Sequence, residues 1–511
     1  MGGRTTRERG ALLIVAFVAA AVPLLTAAQS QPAGVVLVAS GLAFPRGVTW
    51  DDSGQMYVAL AGDGPAPDAS SGTTDVEHAF GLFYAGFNAA VVKIDKACGV
   101  PVATGLPSEQ QRSGWHQGVS SLAFLDGTLY AAVDGAGSAR GNPNNPSGVY
   151  MIGSNGGWAA VASLDAWMPA HPVSDVPGDL DPNGEPYSLI VDGSSLVLSE
   201  SNSGQLLRVT SDGTITRIVD LSDPHRVPTG LAMDKDGNFY VGTLGVTPYP
   251  DGSSLVFKIT PDGKTETVWT GLTMVTDLAI GPDGALYALE MSTGNTTEPP
   301  FYQRNTGKMV RQTGPTSAED VVTGLDLPIS MQFGPDGAFY ISFPAIHAEG
   351  GAGGVARIDL TADAPIAVSP DILNLKESTC TPVGVSKDAG EPTTGPSAAG
   401  GEQIGTPIAA PAEPTETSAP GETADGEAAT GTSIEIKDYA FTPPTLTVSA
   451  GTTVTWTNND AVPHTATASD GTFDSGNLNP GQSFAFTFAK PGDYAYACQY
   501  HAGMTGTIVV K

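Results

Sequence analysis

Basic residues are scarce in this chain of 511 residues. Its 23 Lys and Arg stand against 53 Asp and Glu, which gives a net charge of −30 at pH 7. Nucleic-acid binding depends on clustered basic side chains that neutralise phosphates, so the composition excludes nucleic acid as a partner. The acidic excess favours solubility and cationic partners, but it carries no information about the fold.

Long apolar runs are lacking after residue 25, and no later segment reaches the about 20 apolar residues that a membrane helix needs. The first 28 residues predict an export signal, because basic residues precede a short apolar run and small residues suited to cleavage follow it. These segments are Arg4 to Arg9, Ala11 to Leu25 and Thr26 to Ala28. An uncleaved anchor is the alternative, but the run is short for a bilayer span. We therefore expect an extracytoplasmic mature chain, periplasmic or secreted, without a stable membrane span.

Cysteine is rare as well, with Cys98, Cys380 and Cys498 as the three copies. An odd number leaves at least one of them outside any disulfide within the chain. If Cys498 has a separate role, Cys98 and Cys380 are free to form a disulfide that joins the end of the first domain to its beginning. The sequence leaves this pairing open.

A chain of this length implies at least two domains, because a single hydrophobic core rarely serves more than about 300 residues. Residues 383–431 consist mainly of Pro, Gly, Ala, Thr and Glu and have no sustained apolar pattern. Such a composition cannot bury a core and predicts a flexible, disordered acidic linker. The boundaries are then a first domain at 35–380 and a second domain at 432–511.

The first domain contains an internal repeat, in which an apolar strand, a turn containing Asp and Gly, and a second apolar strand follow one another. Asp-Gly between apolar runs is a strong hairpin signal, because glycine accepts the positive φ of a tight turn. The six copies have their turns at Asp52, Asp126, Asp192, Asp236, Asp283 and Asp336. Further strands follow several copies, and six four-stranded antiparallel units predict a six-bladed β-propeller.

A short tag that ends the fourth strand indicates how the ring closes. The tag is Ala103 to Leu106, Trp269 to Leu272 and Val322 to Leu325 in three units, whereas the sixth unit lacks it. A matching tag, Ala39 to Leu42, stands before the first unit instead. We therefore expect the N-terminal strand Val35 to Val38 to complete the last blade and close the propeller.

This propeller resembles the family of exported propellers named for the scytonemin-biosynthesis gene cluster of cyanobacteria, which is related to NHL-repeat and strictosidine-synthase-like propellers. The similarity covers about residues 35–375. It rests on Gly41-Leu42, Pro45-Arg46-Gly47, the Gly-rich insertion after Tyr57, Pro186-Tyr187-Ser188 and Pro228-Thr229-Gly230. The resemblance implies the fold but no particular activity, so the function has to be argued from a site.

Three acidic residues near strand ends, Glu200, Asp277 and Glu290, are candidates for a calcium or acid–base site in the propeller. Calcium-dependent lactonase propellers carry acids at the starts of inner strands, whereas Thr229 and Thr276 stand where one of those acids would fall. We therefore expect most of these acids at surface or turn positions. The histidines of the propeller show no metal-ligand spacing and are also expected at the surface. They are His78, His116, His171, His225 and His347.

The second domain has the short alternating strands and turn signals of a small β-sandwich. Pro463-His464 follows one strand, and a Cys-x2-His-x2-Met loop follows another. Two imidazoles, one thiolate and a weak thioether suit copper that cycles between two oxidation states. The predicted ligands of one type 1 copper ion are His464, Cys498, His501 and Met504. Zinc accepts similar donors, and a metal-free sandwich with a buried cysteine is the simplest alternative.

Over residues 432–511 this domain resembles plastocyanin, pseudoazurin and amicyanin, the blue-copper cupredoxins. The similarity is carried by Phe441-Thr442-Pro443, Gly451, Val454 to Asn458, Pro463-His464, Phe473, Gly492, Tyr494, Tyr496 and the loop from Cys498 to Met504. The short ligand loop is most similar to that of amicyanin. The resemblance implies a Greek-key fold and single-electron transfer. These families often place asparagine after the first histidine, whereas this chain has Thr465.

The sequence thus predicts an all-β, exported copper protein that exchanges single electrons with an unknown redox protein or a small-molecule donor or acceptor. The propeller is then a docking or ligand-binding module. In the alternative, the propeller is an oxidoreductase with a quinone cofactor and the copper domain is its tethered electron acceptor. A calcium-dependent hydrolase or lactonase is a third class, and copper storage is a weaker fourth.

Overall fold

A computed structural model describes the chain over residues 34–63, 75–78, 81–111, 115–140, 142, 144–177, 181–298, 300–346, 353–360, 365–368, 380–385, 432–437, 440–460, 464–468, 472–475, 478, 481–498 and 504–511. The export signal predicted at 1–28 and most of the linker predicted at 383–431 lie outside the described residues. Within the described ranges, no helix is long and apolar enough to cross a membrane.

The first blade contains the longest hairpin of the chain. The first seven strands are β1 (Val35–Leu42), β2 (Pro45–Trp50), β3 (Met56–Leu60), β4 (Asp75–His78), β5 (Gly81–Asp95), β6 (Cys98–Gln111) and β7 (His116–Gln117). The blade has the order β2-β3-β5-β6, while β4 pairs with β5 and β7 with β6. β2 is therefore the innermost strand and β6 the outermost.

Blades two to five repeat this plan. The second and third consist of β8 (Val119–Leu125), β9 (Thr128–Val133), β10 (Gly148–Ile152), β11 (Trp158–Ser163), β12 (Pro186–Asp192), β13 (Ser195–Glu200), β14 (Gln205–Thr210) and β15 (Ile215–Asp220). The fourth and fifth consist of β16 (Pro228–Met233), β17 (Phe239–Thr243), β18 (Ser254–Ile259), β19 (Thr265–Leu272), β20 (Val275–Ile280), β21 (Leu286–Glu290), β22 (Gly307–Gly314) and β23 (Ser317–Leu325). The short helices are the 3₁₀ turns Ser138–Arg140 and Met168–Ala170 and helix α1 (Leu164–Trp167).

The N-terminal strand closes the ring. The sixth blade contains β24 (Ser330–Phe333), β25 (Phe339–Phe343) and β26 (Gly353–Ile358), and β27 (Ile366–Ala367) pairs with β23 of the fifth. β1 runs antiparallel to β26, with Val35 opposite Ile358 and Leu42 opposite Gly353. The innermost strands contact one another in the order β2, β8, β12, β16, β20 and β24, and β24 contacts β2. The predicted six-bladed propeller and its closing strand are both confirmed.

An aspartate holds the hairpin between the two inner strands of several blades. In the fourth blade, Asp234 Oδ1 accepts the backbone N–H groups of Asp236 and Asn238 at 2.9 and 3.0 Å. Its Oδ2 accepts the hydroxyl of Tyr240 at 3.2 Å, and Gly237 supplies the positive φ of 79°. The same 3.2 Å bond joins Tyr57 to Asp51, Tyr287 to Asp283 and Tyr340 to Asp336. The side chain of the turn aspartate therefore fixes the register of the two strands.

A disulfide joins Cys98, at the start of β6, to Cys380, with the two Cα atoms 5.4 Å apart. This bond is the pairing that the sequence left open. Beyond it, Val383 exchanges backbone hydrogen bonds with Gly41 and Ala43, each 3.1 Å long. Residues 383–385 are therefore part of the propeller, and the chain leaves this domain next to the start of β2.

The C-terminal domain is a sandwich of two four-stranded sheets. Its strands are β28 (Ser433–Lys437), β29 (Ala440–Thr442), β30 (Thr445–Val448), β31 (Thr452–Asn458), β32 (Thr467–Ala468), β33 (Ser483–Phe488), β34 (Gly492–Ala497) and β35 (Thr505–Val510). One sheet has the order β29-β28-β31-β33 and the other β30-β35-β34-β32. Between them, Trp456 is fully buried against the rings of Phe473, Phe488 and Tyr496. This aromatic core supports the strand ends that carry the candidate ligands.

We expect the double substitution Cys98→Ser/Cys380→Ser to destabilise the propeller by about 2–5 kcal/mol, because the disulfide constrains a loop that spans nearly the whole domain. Guanidinium unfolding followed by tryptophan fluorescence measures the midpoint. A reductant should lower the midpoint of the unmodified protein but leave that of the double variant unchanged. An equal midpoint for both oxidised proteins contradicts the stabilising role.

Candidate metal centre

The structure brings His464 and Cys498 together in the interior of the sandwich. His464 is held by a reciprocal pair of backbone hydrogen bonds with Leu478, at 3.0 and 2.8 Å. Cys498 directly follows β34. Both side chains are buried, and His464 Nδ1 lies 3.6 Å from Cys498 Sγ. Two distant segments of the chain therefore present one nitrogen and one sulfur donor to the same point.

Asp460 fixes the orientation and the protonation of the His464 ring. Its Oδ2 lies 2.8 Å from His464 Nε2. Because a carboxylate accepts hydrogen bonds, Nε2 carries the ring proton and Nδ1 presents its lone pair towards Cys498. Burial lowers the pKa of His464, while Asp460 opposes this effect. The imidazole is therefore in the neutral form that binds metals.

Asn458 in turn positions Asp460. The Asn458 side chain is fully buried, and its Oδ1 accepts the Asp460 backbone N–H at 2.9 Å. Its Nδ2 donates to the carbonyl of Leu478 at 2.7 Å, and Leu478 is the residue that also bonds His464. One asparagine thus connects both segments that hold the histidine.

Two backbone N–H groups organise the cysteine. The N–H of Thr465 donates to Cys498 Sγ at 3.3 Å. The N–H of Cys498 donates to the carbonyl of Met504 at 3.0 Å. A hydrogen bond to sulfur favours the thiolate over the thiol, so the peptide after the histidine stabilises the charge on the cysteine.

Met504 is buried in the same apolar cluster as Cys498. The fourth predicted ligand, His501, lies outside the described residues. The donors that are described fit a soft metal ion such as copper. His464 Nδ1 and Cys498 Sγ, 3.6 Å apart, are close enough for a single ion to be held by both.

The C-terminal domain is similar in sequence to known proteins. The family model for the cupredoxin-like domain matches residues 415–510. Over 84 residues the chain is 39% identical to the plastocyanin of Scenedesmus fuscus, and the match covers 14% of this chain and 86% of that protein. Over 85 residues it is 33% identical to amicyanin-alpha of Methylorubrum extorquens, covering 16% of this chain and 71% of that protein.

The chain belongs to the cupredoxin family. Its membership is carried by the C-terminal domain, because each of these matches is confined to about 80 residues. The plastocyanin of Tetradesmus obliquus is 37% identical over 84 residues, and the match spans 14% of this chain but 58% of that protein's length. We therefore apply the family name to the sandwich, which is called the cupredoxin domain below.

The cupredoxin domain braces the position after its first histidine with hydroxyl groups. Thr465 stands where related families often have asparagine. Its Oγ1 lies 3.0 Å from that of Thr467, which donates to Asp474 Oδ1 at 2.8 Å. Ser475 Oγ accepts the backbone N–H of Ala466 at 2.7 Å. The threonine is thus connected through side chains to the segment containing Asp474.

The propeller acids do not lie where we expected. Glu200 is fully buried and Glu290 nearly so, so the prediction of surface positions is wrong for both. Glu200 accepts three backbone N–H groups, from Glu185, Asn202 and Ser203, at 3.0 to 3.1 Å. Burial nevertheless raises its pKa to about 7. These bonds join Glu185, just before β12, to Asn202 and Ser203, just after β13. Glu200, the last residue of β13, is buried between these two segments.

Two other polar groups of the propeller are buried. The prediction of a surface position is wrong for His116, which is only 4% exposed and stacks on Phe44 with ring centroids 3.6 Å apart. Arg140 is buried among four carboxylates contributed by separate segments. They belong to Glu109, Asp134, Asp181 and Glu185. In the described part of the propeller, no three His, Cys, Asp or Glu side chains are grouped as for a metal ion.

We expect Asn458→Ala to lower the stability of the cupredoxin domain by about 1–3 kcal/mol, because the carbonyl of Leu478 and the N–H of Asp460 lose a buried partner. Calorimetry of the full chain should show a lower transition temperature for this domain. Asn459→Ala is the matched control, since the Asn459 side chain is exposed. Equal losses in both variants contradict the bracing role.

Proposed function

We propose that this protein binds one copper ion through His464, Cys498, His501 and Met504 and transfers single electrons outside the cytoplasm. The observation that carries the proposal is the buried pair of His464 Nδ1 and Cys498 Sγ, 3.6 Å apart. Membership of the cupredoxin family supports it. Each residue type also suits copper, because imidazole, thiolate and thioether are its preferred donors.

The residues around the pair keep the site rigid and dry. Copper, when bound, supplies a one-electron couple. Asp460 holds the proton at Nε2 of His464, and the Thr465 N–H stabilises the negative charge on Cys498. Burial of both ligands excludes water. Fixed, desolvated ligands need little rearrangement when the charge at the site changes, which is what rapid electron transfer requires.

We infer that the propeller serves as the docking or ligand-binding module of this pair, and we assign it to the scytonemin-cluster family on its Pro45-Arg46-Gly47 and Pro186-Tyr187-Ser188 motifs. The closed six-bladed ring supports the propeller fold but not a particular activity. The disulfide between Cys98 and Cys380 supports export, because such bonds persist in oxidising compartments.

One observation favours the second candidate, in which the propeller is itself an oxidoreductase and the cupredoxin domain its acceptor. The N–H of Asp63 donates to the carbonyl of Gly384 at 2.9 Å, and Val385 packs against Ala43 and Phe44. The chain therefore leaves the propeller beside the start of its innermost strand β2. A domain attached there is held close to whatever binds at that end of the ring.

The visible spectrum of the full chain loaded with Cu(II) tests the proposed function. We expect an intense blue thiolate-to-copper band at one copper per chain, and we expect Cys498→Ser to abolish it. Cys98→Ser/Cys380→Ser is the matched control and should keep the band, because these sulfurs are distant in sequence and bonded to each other. A folded, copper-loaded protein without the band sinks the ligand assignment.

We also expect Asp460→Asn to weaken Cu(II) binding by about 10–100-fold, the usual effect of removing the carboxylate behind a histidine ligand. The reduction potential should rise, because a nearby negative charge favours Cu(II) over Cu(I). Chelator competition and redox titration measure the two effects. Asp493→Asn, an exposed residue of β34, provides the control for loss of charge alone. Identical shifts in both variants contradict a specific role of Asp460.

A further inference from the structure

The innermost strands of the propeller begin with a repeated irregularity. In five blades the pairing between the innermost strand and its neighbour skips one or two residues at the beginning of the innermost strand. These register shifts lie at Pro45/Val48, Val119/Ser121, Pro186/Ser188, Pro228/Leu231 and Val275/Asp277. Bulges of this kind re-aim the side chains they contain, so equivalent residues of the blades face equivalent surroundings.

In three blades the second residue of the irregularity has a hydroxyl that links neighbouring blades. Each hydroxyl donates to the carbonyl of the first residue in the equivalent segment of the next blade. The bonds run from Ser120 to Pro186, from Thr229 to Val275 and from Thr276 to Pro328, at 2.7, 2.5 and 3.3 Å. Serine or threonine therefore meets the structural requirement of this position.

Blades one, three and six depart from the rule, with Arg46, Tyr187 and Ile329 at the equivalent position. Arg46 Nη2 donates to the carbonyl of His116, just before the second blade. Arg46 thus makes one hydrogen bond to the next segment, the same number as each hydroxyl makes in the other blades. A guanidinium has five N–H donors, so blade linkage does not account for the arginine.

Arg46 is also buried without an anion. It is 8% exposed, and in the described part of the chain it takes part in no ion pair. Burial lowers the pKa of Arg46, whereas the charge of Asp134 raises it without forming an ion pair with it. Asp134 Oδ1 instead accepts the backbone N–H of Gly135. Arg140, in contrast, contacts carboxylates of Glu109, Asp181 and Glu185. A buried cation normally has a counter-ion, and none of the ion pairs among the described residues supplies one to Arg46.

The hydroxyl of Tyr187 is a second buried polar group of this region, and it lacks a hydrogen-bond partner among the described residues. Buried tyrosine hydroxyls usually have one. Tyr187 and Arg46 occupy the equivalent position of their innermost strands, so both lie at the same end of the ring. Each also shifts the other's pKa. Asp277 acts on Tyr187 as well, but its oxygens accept from Leu278, Ser330 and Met331.

An apolar wall adjoins the tyrosine. Tyr187 packs against a buried cluster from the fifth and sixth blades, which includes Met274, Met291, Leu327 and Ile329. The other half-buried side chains that pack on this cluster are Trp115, Leu244 and Tyr249. A few convergent polar groups beside apolar side chains are typical of small-molecule sites.

We propose that Arg46 and Tyr187 bind a small organic carboxylate whose apolar body packs against the half-buried side chains of Trp115 and Leu244. The carboxylate accepts from the guanidinium fork of Arg46 and from the hydroxyl of Tyr187, which satisfies both groups at once. One arginine and one neutral phenol balance a single negative charge. The nearby carboxyls of Asp134 and Asp277 disfavour a dianion such as phosphate.

Isothermal titration of the full chain with benzoate tests the site. We expect one benzoate to bind per chain, with Arg46→Gln and Tyr187→Phe each weakening binding by about tenfold or more. Arg46→Lys keeps the charge but not the fork, and should bind with intermediate affinity. Arg208→Gln, which removes a half-exposed partner of Asp192, should bind like the unmodified protein.

Benzamide separates charge recognition from apolar contact, because it has the same shape without the charge. We expect it to bind far more weakly than benzoate and to be insensitive to Arg46→Gln. The proposal is overturned if the unmodified protein does not bind benzoate, if benzamide or inorganic phosphate binds as tightly, or if Tyr187→Phe and Arg46→Lys both leave benzoate binding unchanged. The blue band of the copper-loaded variants reports separately on the cupredoxin domain.

Discussion

The antiparallel pairing of β1 with β26 is the constraint on which the arrangement of the propeller depends. Without it the sixth blade has only three strands, and no β-sheet pairing joins the last blade to the N-terminal strand. Covering an exposed sheet edge also removes a template for aggregation. The same pairing brings the end of β1 beside β2 and Cys98, and this is where the last described residues of the domain, 380–385, are bonded.

The last described residues of the propeller lie beside β2. Residues 386–431 stand between the two domains in the sequence, so the domains are covalently linked. Val385 packs against Phe44, whose ring stacks on His116. The last described residue of the propeller is therefore near the start of β2, where Arg46 also lies.

Much of the fold could be predicted because its signals are local. The Asp-Gly turns organise their own hairpins, as Asp234 and Tyr240 illustrate, and alternation is sufficient to place strands such as Thr445–Val448. The candidate ligands His464 and Cys498 could be named because residue type and spacing indicate metal chemistry directly. Asp460 and the burial of Glu200 could not be predicted, because they depend on packing between segments that are distant in sequence. The disulfide stayed open for the same reason.

Buried polar groups divide into two kinds in this protein, and the difference indicates where ligands bind. Asn458, Glu200 and Arg140 all have protein partners that account for their burial, so each is explained by the folded chain alone. His464 Nδ1, 3.6 Å from Cys498 Sγ, and Arg46 are the groups for which we propose a non-protein partner, a metal ion for the first and an organic anion for the second. The two centres thus follow from one physical requirement, that charge and lone pairs removed from water must find a partner.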